Sequence, residues 1–341
     1  MVTFTAAIDR LSEEMKLATF VFSLMVATPA YATAPQPKLI GDTRIHDPSV
    51  IKADGWFVVF GVGGPGPYRS AIRVKTSPDG IAWTDAGAVG RGASAWDNEA
   101  LGYTFMNVSA PSIAIHAGCA YLYYALSRSG SDTSAISLMT NAVFDVRHPD
   151  EGWQDQGVVL KSTTRDDFNA IDPFRVDLAD SRAFLAYGSN WSGIKLRELD
   201  PQSGKLKADA PVISIASRGG GAVEAPAILE HGGEFYLFVS FDQCCKGVAS
   251  TYSIRVGRAD RIEGPYRAKD GRDMRDGGGS LLLATSGRFI GPGGQEPVRT
   301  EKGDMLAYHY YDGDRGGVAQ LQLSPLSWTA DGWPELGPPP Q

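Results

Sequence analysis

Cysteine is scarce in this 341-residue chain: there are three, Cys119 alone and Cys244 beside Cys245. No spacing among them resembles the paired ligands of a zinc site. Positive charge is also short. The 32 Lys and Arg against 39 Asp and Glu leave a net charge of −7, which argues against nucleic acid and anionic lipid as partners. The apolar run from Leu17 to Val26 is too short to span a bilayer. No amphipathic helical period of useful length follows residue 33, which leaves strands as the building material. What is present is an ordinary soluble composition, 21% charged and 43% hydrophobic, with 40 glycines to suit many tight turns. The length fits one large all-β domain or two small ones. Cys119 is expected to be a buried small apolar residue. Cys244 and Cys245 form either a vicinal disulfide that stiffens its loop or two reduced thiols, and the sequence leaves both open.

The stretch MKLATFVFSLMVATPAYATA, from Met15, combines a lysine, the short apolar run and Ala30-Tyr31-Ala32 as an A-x-A cleavage site. It reads as a secretory signal peptide. Residues 1–14 contain Asp9, Glu13 and Glu14, unusual ahead of such a segment. Met15 is therefore taken as the start, with cleavage after Ala32. An N-terminal amphipathic helix is the competing reading, but the cleavage motif lies where the apolar run requires it. Residues 33–341 then form a single domain, secreted or periplasmic, in which disulfides are permitted.

Five segments of that domain resemble one another: HDPSVIKADGWFVVFGV, SAPSIAIHAGCAYLYYAL, IDPFRVDLADSRAFLAYGS, EAPAILEHGGEFYLFVSF and EPVRTEKGDMLAYHYYDG. Each has a proline, a short alternating run, a polar or glycine turn and an aromatic-rich run. Pro48, Pro111, Pro173, Pro226 and Pro297 lie 63, 62, 53 and 71 residues apart. Such a period marks a repeat architecture, and the first two runs of each unit read as a hairpin. A third run follows every time: AIRVKTS, AISLMTN, GIKLREL, YSIRVGR and VAQLQLS. A fourth, less regular element often carries Trp, Asp and Gly, as in IAWTDAG, GWQDQGV and LSWTADGW. Four short antiparallel strands per unit, five times over, predict an all-β, five-bladed β-propeller.

First strands of blades lie nearest the axis, so residues at their heads converge. Asp47 precedes Pro48, Asp172 precedes Pro173, and Glu224 lies two before Pro226. Blade two has Ser109-Ala110 in that place, and blade five has Gln295-Glu296 after a glycine-rich GPGG. Three acids in one pocket raise at least one another's pKa, and a neutral acid beside an ionised one equips a site for general acid–base work. Two carboxyl groups about 6.5–9.5 Å apart suit inverting glycoside hydrolysis, because the gap admits a water. A single Asp-Pro is more often a turn or cap, and an acid cluster could equally hold a metal ion.

At these residues the chain resembles glycoside hydrolase family 43, and within it the arabinanases. The resemblance covers essentially all of residues 33–341 and is carried by HDPSV, NAIDPF, AYGSNWSGIKLRELD, VEAPAI, YLFVSFDQCCKGVASTYSIRVGR, IEGPY and AYHYYDG. The short acid motifs recur in related five-bladed sucrose and fructan enzymes. The long match from Phe241 to Arg258 points to arabinanases over xylosidases. The resemblance implies an inverting mechanism with Asp47 as general base, Glu224 as general acid, and Asp172 raising the pKa of Glu224 and orienting it. It also implies that His309 lies near a calcium ion on the axis. A lone histidine among tyrosines is more often a packed core residue, and calcium prefers oxygen, so water would have to complete the shell. The acids of DGDRGG (Asp312 to Gly317) read as a solvated turn.

Sugar sites need aromatic faces and short polar groups. GSNWSG offers Ser189, Asn190 and Trp191 at a strand end, NAIDPF adds Asn169 and Phe174, and His46 sits beside Asp47. Blade packing is the alternative role for Trp191. Two motifs depart from the arabinanase pattern. Ser109-Ala110-Pro111-Ser112 stands where Trp-Ala-Pro-Asp is usual, so one sugar subsite should be weakened by about 1 kcal/mol or more. In GPGGQ (Gly291 to Gln295), some arabinanases have a histidine after Gly-Pro-Gly, and Gln295 is expected to take over its polar contact. The expected function is hydrolysis of α-1,5-L-arabinofuranosyl linkages in arabinan or arabino-oligosaccharides, by internal cleavage and as a monomer. The alternatives are an exo-acting arabinofuranosidase, whose groove would be blocked by loops such as residues 91–106, a non-catalytic arabinan-binding propeller, and a retaining fructan or sucrose enzyme.

Overall fold

A computed structural model describes residues 34–62, 71–90, 107–127 and 130–340. The signal-peptide segment and the loop 91–106 lie outside them. Among the described residues no helix is long and apolar enough to cross a membrane.

Short β-branched and aromatic runs, split by turns, give five sheets in chain order. The first holds β1 (Ile40–Gly41), β2 (His46–Ala53), β3 (Trp56–Val62), β4 (Ile72–Ser77) and β5 (Ala82–Val89). The second holds β6 (Asn107–His116), β7 (Cys119–Ser127), β8 (Ser134–Asn141) and β9 (Gln154–Ser162). The third holds β10 (Phe174–Asp177), β11 (Ala183–Tyr187), β12 (Ile194–Leu199) and β13 (Ile213–Ala216). The fourth holds β14 (Val223–His231), β15 (Glu234–Phe241), β16 (Ser253–Ala259) and β17 (Ser280–Leu283). The fifth holds β18 (Phe289–Thr300), β19 (Gly303–Asp312) and β20 (Val318–Pro325). Neighbouring first strands touch in a closed ring, β2 to β6 to β10 to β14 to β18 and back to β2. The protein is a five-bladed β-propeller.

Local chemistry sets the hairpins. Asp54-Gly55, Ala117-Gly118 and Gly232-Gly233 each close a two-residue loop, with positive φ at both positions. That is the type I′ geometry whose twist matches the flanking strands. The core is divided into five seams, one between each pair of adjacent blades. Val58 and Phe60 meet Leu122 and Tyr124 between blades 1 and 2, and Val59 and Phe57 meet Leu321 and Leu323 between blades 1 and 5.

The expectation of four antiparallel strands per blade holds for four of the five sheets. Blade 1 gains β1, which pairs in parallel with β5. Blade 5 keeps three strands because the run expected to supply its fourth, LSWTADGW, folds into its own small pair, β21 (Ser327–Trp328) with β22 (Pro334–Glu335). Its Trp333 packs into the seam between blades 4 and 5 instead. The free side of β20 meets the N-terminal segment: Leu321 N–H donates to the Thr43 carbonyl at 2.7 Å and the Gln322 amide to the Pro37 carbonyl at 2.8 Å. Gln36 ties the two chain ends together. Its backbone and side-chain N–H groups donate to the carbonyls of Pro338 and Gly337, and its Oε1 accepts from Tyr308 and Ser324.

Candidate active site

Four of the five first strands are dislocated at the same point, and in blade 3 the equivalent residues lie just ahead of β10. The register slips between His46 and Ser49, between Ser109 and Ser112, between Glu224 and Ala227, and between Gly293 and Glu296. At this strand-head position one residue per blade adopts left-handed φ: Asp47 (47°), Ala110 (44°), Asp172 (52°), Ala225 (51°) and Gly294 (57°). These five, with Pro48, Pro111, Pro173, Pro226 and Gln295 after them, line one pocket on the axis. Left-handed backbone costs a non-glycine residue about 1–2 kcal/mol, and such outliers gather at functional sites.

This frame corrects the reading of blade 5. The position equivalent to Asp47-Pro48 is Gly294-Gln295, two residues before Glu296-Pro297. What defines the bulge is a positive φ, which glycine supplies without a proline to mark it. The frame also separates the acids into two tiers. Asp47 and Asp172 hold the left-handed position itself. Glu224 stands one residue earlier, level with His46 in blade 1 and Ser109 in blade 2.

The neighbours of each acid differ. Asp47 Oδ2 lies 2.9 Å from His46 Nδ1, and the Asp47 N–H donates to His309 Nδ1 at 3.2 Å. Burial works against charge on Asp47, but the His46 imidazole outweighs it and holds the carboxyl below its usual range. Burial likewise opposes charge on His46, and Asp47 overcomes it to raise the imidazole pKa. Glu224 Oε2 accepts the Ser189 hydroxyl at 2.6 Å. Burial first, and the Asp47 charge next, push Glu224 upward against that hydrogen bond. Asp172 Oδ2 accepts the Ala225 N–H at 2.9 Å, one residue past Glu224. Burial, then the charges of Glu224 and Asp47, drive Asp172 well above the carboxylate range. One acid is thus kept ionised, while two share a high affinity for protons.

The other sequence-derived residues divide. Ser189, Asn190 and Trp191 stand together on the loop after β11. Asn190 donates to the Ser189 hydroxyl at 3.1 Å, and Trp191 is 38% exposed at left-handed φ. Phe174 lines the axial pocket while packing into the seam between blades 3 and 4. Asn169 is buried, with its Oδ1 accepting the Ser134 hydroxyl, so its side chain ties blade 2 to the chain entering blade 3. His46 turns its ring nitrogens to Asp47 and to Tyr311 Oη, the latter at 2.7 Å. Gln295 is held between blades: Ser240 donates to its Oε1 at 2.8 Å and its amide donates to the Ala225 carbonyl at 2.6 Å. Ser112 is buried in the head of blade 2.

His309 is fully buried and stacked on His46, with ring centroids 3.8 Å apart. Its Nε2 has no hydrogen-bond partner among the described residues. Burial, and then the neighbouring His46, hold its pKa well below the usual value, so the ring is neutral. His46, Asp47 and His309 present ligand atoms within 4.8 Å of one another. A Cβ on Gly294 would lie 2.7 Å from Asp47 Oδ1 and 2.8 Å from His309 Nδ1, so the bare glycine keeps this corner open.

Four features escaped the sequence. Tyr311 accepts the Cys245 N–H at 2.8 Å and reaches His46. Ser240 also receives the Gly294 N–H at 3.0 Å. Ser49 donates to Glu296 at 2.7 Å and accepts the Ile113 N–H at 2.8 Å, joining blades 5, 1 and 2. Glu296 itself is buried, and that burial lifts its pKa to about 8. The aromatic run AYHYYDG and the position of Glu296 beside the bulge were the available signals. The cysteines are decided as well: Cys244 and Cys245 are joined in a disulfide. Cys119 is a free thiol and only partly buried, because it opens β7 at the tip of a hairpin rather than deeper in the blade.

The family described as Glycosyl hydrolases family 43 matches residues 37–334. The chain is 38% identical over 292 residues to the extracellular endo-α-(1→5)-L-arabinanase 1 of Bacillus subtilis, covering 85% of this chain and 87% of that protein. It is 33% identical over 304 residues to the extracellular exo-α-(1→5)-L-arabinofuranosidase ArbA of Cellvibrio japonicus, covering 86% of each. Its fold superposes on the structure of an endo-arabinanase from Bacillus licheniformis with a TM-score of 0.79 and 39% identity, covering 88% of this chain and 99% of that one.

Proposed function

The chain belongs to the glycosyl hydrolases of family 43, and from that premise we propose that it hydrolyses α-1,5-L-arabinofuranosyl linkages of arabinan with inversion, cutting within the chain. The observation that carries this reading is the opposed proton affinity of acids on one ring: Asp47 held low by His46, Glu224 and Asp172 held high. Asp47 is the general base. It takes a proton from water as the water oxygen bonds to the anomeric carbon. Glu224 is the general acid and gives its proton to the departing glycosidic oxygen as the carbon–oxygen bond breaks. Asp172, through the Ala225 N–H, fixes the backbone beside Glu224 and keeps a negative charge near it whenever it ionises. Ser189 orients the Glu224 carboxyl, and Trp191 offers an exposed aromatic face for a sugar ring.

Linear arabinan is the test. A ladder of oligomers from the first minutes supports endo action, and arabinose alone supports the exo reading, to which the Cellvibrio relative lends weight. NMR of the first-formed anomer checks inversion. The names of both curated relatives support an extracellular or periplasmic location. A site assembled from one chain's own ring supports a monomer. A calcium ion held by the orphaned His309 Nε2 and by waters would require the other tautomer, with the ring proton on Nδ1 toward Asp47 Oδ1 3.6 Å away and the Asp47 N–H no longer donating to that nitrogen. When bound, such an ion would supply fixed positive charge near the axis.

A further inference from the structure

A line of contacts leads from Asp47 to the disulfide. His46 Nδ1 faces Asp47 Oδ2 at 2.9 Å, and His46 Nε2 faces Tyr311 Oη at 2.7 Å. Tyr311 Oη accepts the backbone N–H of Cys245 at 2.8 Å. Cys245 is bonded to Cys244, and its Sγ lies 3.8 Å from the same His46 nitrogen. Having taken the Cys245 N–H, Tyr311 has its own proton to give to Nε2. In the neutral ring that assignment leaves the imidazole proton on Nδ1, directed at Oδ2; in the protonated ring Nδ1 donates to Oδ2 as well, and Nε2 donates to Oη. Oδ1 is then the Asp47 oxygen free to meet water, in the corner that Gly294 keeps open.

We propose that Tyr311 and the Cys244–Cys245 disulfide are positioning elements for Asp47, acting through His46, so that reduction of the disulfide slows hydrolysis. The proposal rests on Asp47 being the general base. Cys245 sits at a φ of 67°, a backbone state that non-glycine residues seldom hold unaided. The small ring closed by adjacent half-cystines restricts both residues and keeps this N–H on Tyr311. A dithiol reductant passes two electrons and two protons to the bond: the S–S bond breaks, two S–H bonds form, and the reductant closes to its own disulfide. The released Cys245 backbone returns to negative φ and its N–H leaves Oη. The His46 ring then loses the contact that sets its tautomer and its angle to Asp47.

The test is steady-state kinetics on linear arabinan with wild type and Tyr311→Phe, each oxidised and dithiol-reduced. Mass spectrometry counts the two added hydrogens, and circular dichroism checks the fold. Reduction should lower wild-type kcat about tenfold, the scale of a modest misplacement of a reacting group, and reoxidation should restore it. KM should stay within about twofold, because substrate binding is not what is lost. Oxidised Tyr311→Phe should show the same loss, and its reduction should add less than about twofold, since both changes act along one path. Where Tyr311→Phe does not fold, a Cys244→Ser, Cys245→Ser protein takes its place, with kcat expected to equal that of reduced wild type. A folded, fully reduced wild type with unchanged kcat overturns the proposal, as do two losses that multiply independently. Failure of the oxidised wild type to cleave arabinan defeats the proposed function instead, and is visible before any reductant is added.

Discussion

Asp47 in blade 1 and Glu224 in blade 4 sit one residue apart in the frame of the repeat, at the same dislocated strand head. One is pressed against an imidazole, the other against a serine hydroxyl, with a second carboxylate bonded to the next backbone N–H. The blade gives both acids the same kind of position. Their neighbours give them opposite tendencies toward a proton. Blades 2 and 5 repeat the bulge with Ala110 and Gly294 in the left-handed position and no acid. The fold therefore supplies five sockets, and chemistry occupies only some of them.

The comparison breaks most severely if its ionised side is removed. Asp47→Asn should lower kcat on arabinan by about 10²–10⁴-fold, the usual worth of a positioned general base, measured by reducing-sugar release. Asp172→Asn sharpens the other side. It leaves Glu224 to titrate alone, without the negative charge that the first ionisation of the pair sets beside the second, so the last proton of the site should leave at lower pH. The alkaline limb of the kcat profile should move down in pH, with kcat reduced about tenfold at the optimum. Trp191→Ala probes the mouth on the Glu224 side. A KM raised by about fivefold with kcat little changed is expected for a stacking face.

Glu296 supplies the smallest and most contrasting effect. It too is an acid at a strand head, but it is buried and bonded to Ser49, with its pKa lifted to about 8 from 4.5. The folded state binds this proton more tightly than the unfolded chain. Its contribution to stability is therefore full below pH 4.5 and is lost as pH rises through about 8. Glu296→Gln should flatten the fall of Tm across that window while leaving the acid-side plateau in place.

The strand heads and hairpins were legible because their signals are local: an acid before a proline, a glycine at a tight turn. The same locality caused the slip in blade 5. There the bulge is made by the φ of Gly294, with no proline to announce it, and the alignment fell on Pro297 instead. The edge of β20 where a fourth strand was expected is met instead by a segment more than 270 residues distant in sequence, since Leu321 bonds to Thr43. Asn169 looked like a sugar contact beside its acid, but it is buried with its Oδ1 on Ser134. Tyr311 could be read as one aromatic among several, and only folding brings it between His46 and Cys245.

The division of labour between Asp47 and Glu224 is tested most directly by changing the leaving group. An aryl arabino-oligosaccharide with a strongly acidic phenol needs no proton as its bond breaks. Glu224→Ala should lose about 10²–10⁴-fold in kcat on arabinan yet stay within about tenfold of wild type on the aryl substrate, whereas Asp47→Ala should fail on both. Equal losses on both substrates for Glu224→Ala, or an Asp47→Ala protein that keeps its rate on the aryl substrate, would contradict the assignment.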